Sequence, residues 1–148
     1  DTHDAIIGGE SSGGLTVRGH IKGKDGVYAA SLLVEMLAAS GRKLSEHWGD
    51  IVAEYGNLEM VETAWSFTPE RRTALTEQLF ERKELPDFGR EITDVSYLDG
   101  CKVRFGEDAW LVVRFSGTEP VLRLFAEAPS EAEAHELVNA MVDFLDLR

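Results

Sequence analysis

One short polar segment stands between two apolar runs and carries side chains suited to an anion. Residues 114–123 read RFSGTEPVLR. The hydroxyls of Ser116 and Thr118, together with the backbone N–H groups of a tight loop, can donate to the oxygens of a single anion. Arg114 and Arg123 flank the loop on the adjoining strands, and their guanidinium groups match phosphate geometry. The segment therefore predicts a phosphate-binding loop; the alternative is a plain β-hairpin with two surface arginines.

A second segment, near the start of the chain, is rich in glycine and suits the hydroxyl groups of a sugar. Residues 8–14 read GGESSGG, and residues 18–26 read RGHIKGKDG. A carboxylate such as that of Glu10, set beside serine hydroxyls, can satisfy neighbouring sugar hydroxyls, because each of them both donates and accepts. His20 and two lysines add positive charge. The alternative interpretation is a glycine-rich linker with solvated charges.

The elements expected around the glycine-rich segment are one strand and two helices. An apolar run at residues 5–7 predicts a short strand, and the glycines of residues 8–26 predict a long loop. Residues 27–40 form a helical pattern that is apolar on nearly every side, so other elements must cover it. A second helix follows. The predicted caps are Asp25 and Gly41 for the first helix and Ser45 and Gly56 for the second.

The rest of the chain predicts a small α+β domain around the anion loop. Its predicted order is β-α-β-β-β-α, with a mostly antiparallel sheet and its helices on one face. Thr68-Pro69 predicts a helix start, because a hydroxyl caps the helix and proline fits its first turn. Asp99-Gly100 predicts a hairpin turn, and Ser130 predicts the cap of the last helix.

The two halves of the chain differ in how complete a fold they can make. Residues 1–56 hold a strand, a loop and two helices, which cannot close a sheet of their own. We therefore expect this half to be the tail of an α/β domain that is cut from a longer protein. Residues 57–148 are long enough for a complete small domain.

The net charge argues against two classes of partner. The chain holds 27 acidic and 15 basic side chains, a formal net charge of −12. Nucleic acids and anionic membranes both recruit clustered Lys and Arg, so neither is expected to bind here. The sequence has no apolar run of about 18 residues, and no membrane span is predicted. Any anion site must be local, built from a few arginines and backbone amides against an unfavourable field.

The cysteine and histidine patterns predict no metal ligand. The single cysteine, Cys101, excludes an internal disulfide and a cysteine-based zinc site. It lies in a strand pattern, so a half-buried, unreactive thiol is expected, which fits a reducing, cytoplasmic setting. His3, His47 and His135 are isolated in the sequence. No pair of residues suggests a nucleophile with its base.

Three motifs of the chain resemble those of the α-D-phosphohexomutases, the family of phosphoglucomutase and phosphomannomutase. The pattern RxSGTEPxLR at 114–123 resembles the family's C-terminal phosphate-binding loop, and GGExSGG at 8–14 resembles its sugar-recognition loop. The pattern GHIxxKDG at 19–26 resembles the stretch that leads into the closing helix of the third domain. The motifs occur in the family's order, and the resemblance runs along the whole chain.

The resemblance implies a four-domain parent enzyme, with the end of domain three at 1–56 and domain four at 57–148. Such an isomerase moves a phosphoryl group reversibly between C1 and C6 of a hexose and uses Mg²⁺. A phosphoserine donates to the bound monophosphate, and the resulting hexose 1,6-bisphosphate reorients before it returns the other phosphate. Domain four grips the phosphate that is not reacting, which makes its task one of positioning.

Carried over by position, the resemblance divides the site residues into two groups. Glu10 and Ser12 would bind adjacent sugar hydroxyls, and His20 would line the cleft. The residues implied to hold the phosphate are Arg114, Ser116, Gly117, Thr118 and Arg123. Two departures from the family pattern are visible. Ser11 stands where many members have an acidic residue or glutamine, and Lys22-Gly23 stands where Pro-Glu is common.

The family's phosphoserine loop and metal loop have no counterpart in these residues. The chain is therefore expected to hold no catalytic residue and no Mg²⁺ ligand, and to be inactive alone. Its expected partners are the phosphosugar substrate and the N-terminal domains of the same protein. The alternative is a non-catalytic module that binds sugar phosphates.

Overall fold

The protein is described by a computed structural model that covers residues 4–10 and 13–148. The chain divides into two compact units, Asp1–Gly56 and Asn57–Arg148. Each unit has its own sheet and helices. Among the helices in the described ranges, none combines the length and apolar character needed to cross a membrane. Ser12, a predicted sugar-binding residue, lies outside the described residues.

The first unit opens with a two-stranded hairpin where the sequence predicts a loop. Strand β1 is Ile7–Gly9 and strand β2 is Leu15–Val17, and the two pair antiparallel. The Glu10 backbone N–H closes the turn by donating to the Gly14 carbonyl at 2.9 Å. The loop prediction for 8–26 is therefore wrong over these strands. The β-branched residues of β2 supply the strand preference that the glycines lack.

Helix α1, Gly26–Ser40, begins and ends at the predicted caps. The Asp25 carboxylate accepts a hydrogen bond from the Tyr28 backbone N–H at 3.0 Å. Gly41 ends the helix in the left-handed region with φ of 64°. Both cap predictions are confirmed. None of the α1 residues is buried, although most are apolar.

Helix α2, Leu44–Tyr55, begins at a different cap from the one predicted. Its N-cap is Lys43, whose backbone N–H donates to Glu46 Oε2 at 2.7 Å, so Ser45 lies inside the first turn. The Ser45 prediction is wrong: the Glu46 backbone N–H donates to the Lys43 carbonyl at 3.0 Å, so the helix begins before Ser45 and a backbone carbonyl accepts where the capping hydroxyl was expected. Gly56 ends the helix as predicted.

The second unit is a five-stranded antiparallel sheet with helices on one face. The strands are β3 (Glu59–Ser66), β4 (Asp94–Ser96), β5 (Cys101–Arg104), β6 (Trp110–Phe115) and β7 (Val121–Ala128), in the spatial order β3-β7-β6-β5-β4. The helices are α3 (Pro69–Thr76), which continues as a π-helical turn over Glu77–Glu81, and α4 (Glu131–Phe144). The predicted α+β fold is confirmed. The structure adds one strand to the predicted order, because the short edge strand β4 pairs with β5.

The caps of α3 and α4 are those that the sequence predicts. The Thr68 hydroxyl accepts from the Arg71 backbone N–H at 3.3 Å, and the Ser130 hydroxyl accepts from the Glu133 backbone N–H at 3.3 Å. The guanidinium of Arg90, followed by the Ser130 hydroxyl, holds the pKa of Glu133 below its ordinary value. The start of α4 is thereby tied to a residue outside the helix.

Alternate residues of the central strands form the core of the second unit. On β7 every second side chain, from Leu122 to Ala128, is fully buried. The helical side chains buried in the same cluster are Leu75, Leu79, Ala134, Leu137, Val138, Met141 and Val142. Burying one leucine contributes roughly 1.5–3 kcal/mol. The residues between the buried ones, Arg114 and Arg123 among them, must therefore lie on the opposite face of the sheet.

The turn between β4 and β5 depends on the absence of a side chain at Gly100. A Cβ there would lie 2.5 Å from the Val113 carbonyl oxygen, and φ is +83°. We expect Gly100→Ala to lower the free energy of unfolding by more than the roughly 1–2 kcal/mol that a left-handed alanine costs, because the clash adds to that cost. Urea unfolding followed by NMR signals of the second unit measures the loss.

Gly89→Ala is the matched control, since φ is +66° at Gly89 and an added Cβ would meet no described atom within 4 Å. This variant should show only the backbone cost. Equal losses in the two variants would contradict the predicted clash.

Candidate functional site

The two arginines that flank the predicted phosphate loop lie side by side on neighbouring strands, on the same face of the sheet. Strands β6 and β7 pair with Arg114 opposite Arg123, next to the connection formed by residues 116–120, the SGTEP loop. The flanking positions are small: Ala64 lies opposite Arg123 on β3, and Gly100 packs beside Arg114. The guanidinium groups therefore have room on the open face, although like charges directly opposite each other repel.

Three carboxylates compensate the two guanidinium groups. Arg114 Nη1 donates to Asp99 Oδ2 at 3.0 Å. Arg123 Nη1 donates to Glu62 Oε1 at 2.9 Å, and its Nη2 donates to Glu119 Oε2 at 2.7 Å. The Glu119 carboxylate, followed by that of Glu62, raises the pKa of Arg123. The cluster of five side chains carries one net negative charge.

Sequence reasoning finds the arginines and misses their partners. It predicts Asp99 only as a turn residue and assigns Glu62 no role. The Asp-Gly pair is a visible signal for the turn that holds Asp99, but its contact with Arg114 depends on β5 lying beside β6. No local signal points to Glu62, which lies 61 residues from Arg123 in sequence. Its contact depends on β3 lying beside β7.

The SGTEP loop is held together by its own hydrogen bonds. The Ser116 backbone N–H donates to the Val121 carbonyl at 2.9 Å. The Ser116 hydroxyl oxygen accepts from the N–H groups of Thr118 at 3.4 Å and Glu119 at 3.3 Å. Ser116 therefore shapes the loop in addition to its predicted role as a donor. A Cβ on Gly117 would meet no described atom within 4 Å, so the space beside it is open.

Glu10, the carboxylate predicted to bind sugar hydroxyls, lies in the turn of the β1–β2 hairpin and pairs with Lys24 Nζ. A Cβ on Gly14 would lie 2.7 Å from Lys24 Cδ, so the lysine stem crosses the turn where no side chain obstructs it. The sequence predicts Lys24 only as part of a basic patch. The structure gives it a direct carboxylate partner.

His20 is held in place by a carboxylate and an aromatic ring. Its Nε2 atom lies 2.9 Å from Asp25 Oδ2, and its ring stacks on Tyr28 with centroids 4.0 Å apart and planes at 16°. The Tyr28 backbone N–H, followed by His20, holds the pKa of Asp25 below its ordinary value. Because Lys24 and Asp25 are consecutive, the connection from β2 to α1 supports both Glu10 and His20.

Cys101 is fully buried in the core of the second unit, where the sequence predicts a half-buried thiol. Burial raises the pKa of this thiol. Burial, followed by the contact with Cys101, raises the pKa of Tyr97 to about 12. Both groups are therefore uncharged near neutral pH, as expected for an unreactive thiol.

Two family models match most of the chain. The one described as "Phosphoglucomutase/phosphomannomutase, alpha/beta/alpha domain III" matches residues 1–55, and the one described as "Phosphoglucomutase/phosphomannomutase, C-terminal domain" matches residues 74–144. The chain belongs to the phosphoglucomutase/phosphomannomutase family. Its glycine-rich segment falls in the match to domain III, and its SGTEP loop falls in the match to the C-terminal domain.

Relatives of this phosphoglucomutase/phosphomannomutase-family chain are considerably longer proteins. The phosphoglucomutase/phosphomannomutase of Thermococcus kodakarensis is 32% identical over 144 residues, which are 97% of this chain and 29% of that protein. The phosphoglucosamine/phosphogalactosamine mutase of Sulfurisphaera tokodaii is 30% identical over 138 residues, 93% of this chain and 28% of that protein. The chain thus spans less than a third of the length of these relatives.

A solved structure of the family shares the fold. The crystal structure of a phosphoglucomutase/phosphomannomutase family protein from Burkholderia thailandensis matches with a TM-score of 0.68 at 23% identity. The match covers 96% of this chain and 29% of that one. The likeness supports the fold of the described units.

The titration of Asp25 tests how the domain III part of this family chain orients His20. We expect carbon-detected NMR to place the pKa of Asp25 below its ordinary value. His20→Ala should raise it only part of the way back, because the Tyr28 N–H is the larger cause. Since the folded pKa is the lower one, the ionised carboxylate stabilises the chain above its unfolded pKa. This stabilisation is lost as pH falls through the folded value.

Asp50, whose pKa is lowered chiefly by Arg42, is the control carboxylate and should not respond to His20→Ala. A full return of Asp25 to its ordinary pKa in that variant would contradict the dominant role of the helix cap.

Proposed function

We propose that the chain is the substrate-binding C-terminal part of a phosphohexomutase, which interconverts hexose 1-phosphate and hexose 6-phosphate through a bisphosphate intermediate. The mutase names of its relatives support this reaction class. The observation that carries the proposal is the pairing of Arg114 with Arg123 beside the SGTEP loop. Guanidinium groups, hydroxyls and open space occur together there, and this combination suits a phosphate group.

The phosphate that is not reacting binds at the SGTEP loop. Asp99 engages only Nη1 of Arg114, so Nε and Nη2 remain to donate to phosphate oxygens. The hydroxyls of Ser116 and Thr118 add two donors. The phosphate enters the open space beside Gly117. These groups hold the substrate so that its other end can react, and such positioning is the main demand of phosphoryl transfer.

Arg123 serves the same phosphate from the neighbouring strand. Both of its terminal nitrogens donate to carboxylates, at 2.9 Å to Glu62 and at 2.7 Å to Glu119. A phosphate oxygen takes the place of one of these carboxylates, while the other continues to hold the guanidinium in place. The bond to Glu119 also ties the SGTEP loop to β7.

The hexose binds at the hairpin turn of the first unit. The carboxylate of Glu10 accepts from a sugar hydroxyl, and Lys24 pairs with that carboxylate. Ser12 binds the adjacent hydroxyl, a role supported by its place in the GGExSGG motif. His20 is a further residue of this sugar site, and Asp25 fixes its ring.

The phosphoserine and the Mg²⁺ site of the reaction belong to the N-terminal domains of the same protein. Within the described part of this chain, no group of three His, Cys, Asp or Glu side chains is placed to hold a metal ion. No step through a metal is therefore assigned to these residues. Their task is to bind and orient the phosphosugar.

An amide NMR titration with glucose 1-phosphate, followed by one with inorganic phosphate, tests the phosphate site. We expect shifts at residues 116–118 with both ligands, and at Glu10 and His20 with the sugar phosphate only. Arg114→Gln should weaken binding at least tenfold, because a hydrogen bond to a charged group contributes roughly 1.5–3 kcal/mol.

Lys102→Gln is the matched control for this titration. Lys102 lies on the same face of the sheet, with its Nζ atom 4.7 Å from the centroid of the Trp110 ring, and its loss should change Kd less than twofold. Equal affinities of the wild type and Arg114→Gln would overturn the proposed function. Shifts confined to residues outside the SGTEP loop would also overturn it.

We also expect no mutase turnover from these residues alone, because they contain no counterpart of the family's phosphoserine loop. A coupled assay for glucose 6-phosphate formed from glucose 1-phosphate, with Mg²⁺ and glucose 1,6-bisphosphate supplied, measures this. A full-length family member in the same assay is the positive control. Turnover by the purified chain above the buffer blank would contradict the expectation.

A further inference from the structure

The proposed phosphate site lacks an uncompensated positive charge among the residues assigned to it. Its two arginines donate to three carboxylates at 2.7–3.0 Å, which leaves the cluster with one net negative charge. The chain as a whole carries −12. A phosphate monoester carries close to two negative charges at neutral pH. It would approach the SGTEP loop against this field unless a further cation lies nearby.

Arg72, on the first turns of α3, has the required charge. The chain has ten arginines, and nine of them form an ion pair with a carboxylate. Among the described residues, Arg72 is the arginine without such a partner. It is also exposed to solvent, so its charge is available to a ligand.

Two aromatic rings hold the Arg72 guanidinium at the base of the SGTEP loop. Its Cζ atom lies 4.6 Å from the centroid of the Phe115 ring and 5.8 Å from that of Phe67. Phe115 immediately precedes Ser116, and the Phe67 backbone N–H donates to the Pro120 carbonyl at 3.3 Å. Phe115 therefore flanks one end of the loop, and the backbone of Phe67 is hydrogen-bonded to the other end. The two rings orient the cation without cancelling its charge, since they carry none.

Arg72 approaches the loop from the side opposite Arg114. Phe115 follows the buried Val113 on the helix face of β6, whereas Arg114 lies on the open face. The SGTEP loop thus lies between cations on its two sides. Glu77 and Glu81 border the same surface as Arg72, and Glu77 is already bonded to Arg82 at 2.8 Å.

We propose that Arg72 is a further phosphate-recognition residue of the SGTEP loop, where it supplies the uncompensated charge that Arg114 and Arg123 do not. The inference rests on the proposed function of that loop. The Arg72 guanidinium contacts the ring of the residue next to Ser116, so its charge acts on a phosphate at the loop, and salt that shortens the Debye length from its physiological value of about 8 Å weakens this effect. Arg72 thereby raises the affinity for sugar phosphates over sugars.

Dissociation constants for glucose 1-phosphate, measured by NMR on the whole chain, test this role. Arg72→Gln should weaken binding three- to tenfold, and Arg72→Lys should stay within twofold of the wild type because it keeps the charge. The deficit of Arg72→Gln should vanish in 0.5 M NaCl, where screening shortens the range of the charge. Arg104→Gln is the control and should bind like the wild type. It also removes an exposed arginine, but one that pairs with Asp94 at 3.8 Å.

A second variant separates charge from packing. Arg72→Met keeps an aliphatic stem over Phe115, so we expect it to fold like the wild type, and its midpoint of urea unfolding checks this. It should still weaken binding as much as Arg72→Gln does, because it lacks the charge. Wild-type affinity of Arg72→Met or Arg72→Gln, alongside weak binding by Arg114→Gln, would overturn the role of Arg72 and leave the proposed function standing. Wild-type affinity of Arg114→Gln would overturn both.

Discussion

The alternation of side chains along β6 and β7 is the constraint on which the second unit depends. Every second residue of these strands is packed against the helices, and a slip of one position would exchange leucines and valines for arginines in the core. The cost of burying an unpaired charge excludes that register. Packing on one face therefore places Arg114 and Arg123 on the other face, and the β6–β7 register sets them opposite each other. The geometry of the candidate site is a consequence of the core behind it.

Two like charges at directly opposed positions must be compensated, and the chain does this with its own carboxylates. The partners come from three different places: Asp99 from a turn, Glu62 from β3 and Glu119 from the SGTEP loop. In the proposed function, a phosphate that binds this cluster displaces carboxylates from the arginines. Such an exchange favours a ligand of high charge density, and for this reason we propose a role for an additional cation.

In the first unit, too, a few neighbouring residues hold the candidate site residues in place. Asp25 caps α1 and orients His20, while its neighbour Lys24 pairs with Glu10. One connection between β2 and α1 therefore supports a helix end and the two described residues of the proposed sugar site. Helix α1 itself exposes its apolar side chains, Val27 at 80% and Val34 at 66%. The expectation that other parts of a longer protein cover this helix stays a prediction.

Signals that are local in the sequence were sufficient for most helix caps, the hairpins of the second unit and the SGTEP loop, because each depends on residues a few positions apart. The caps at Asp25, Thr68 and Ser130 are of this kind. Local reasoning failed where a competing local partner acted, as Glu46 does at the start of α2, and where glycines concealed the β1–β2 hairpin. The net charge of the candidate phosphate site, and the position of Arg72 beside it, could not be predicted from the sequence. The net charge depends on the order of the strands in the sheet, and the position of Arg72 depends on the aromatic rings that its guanidinium contacts. Both are decided only by the packing of the whole unit.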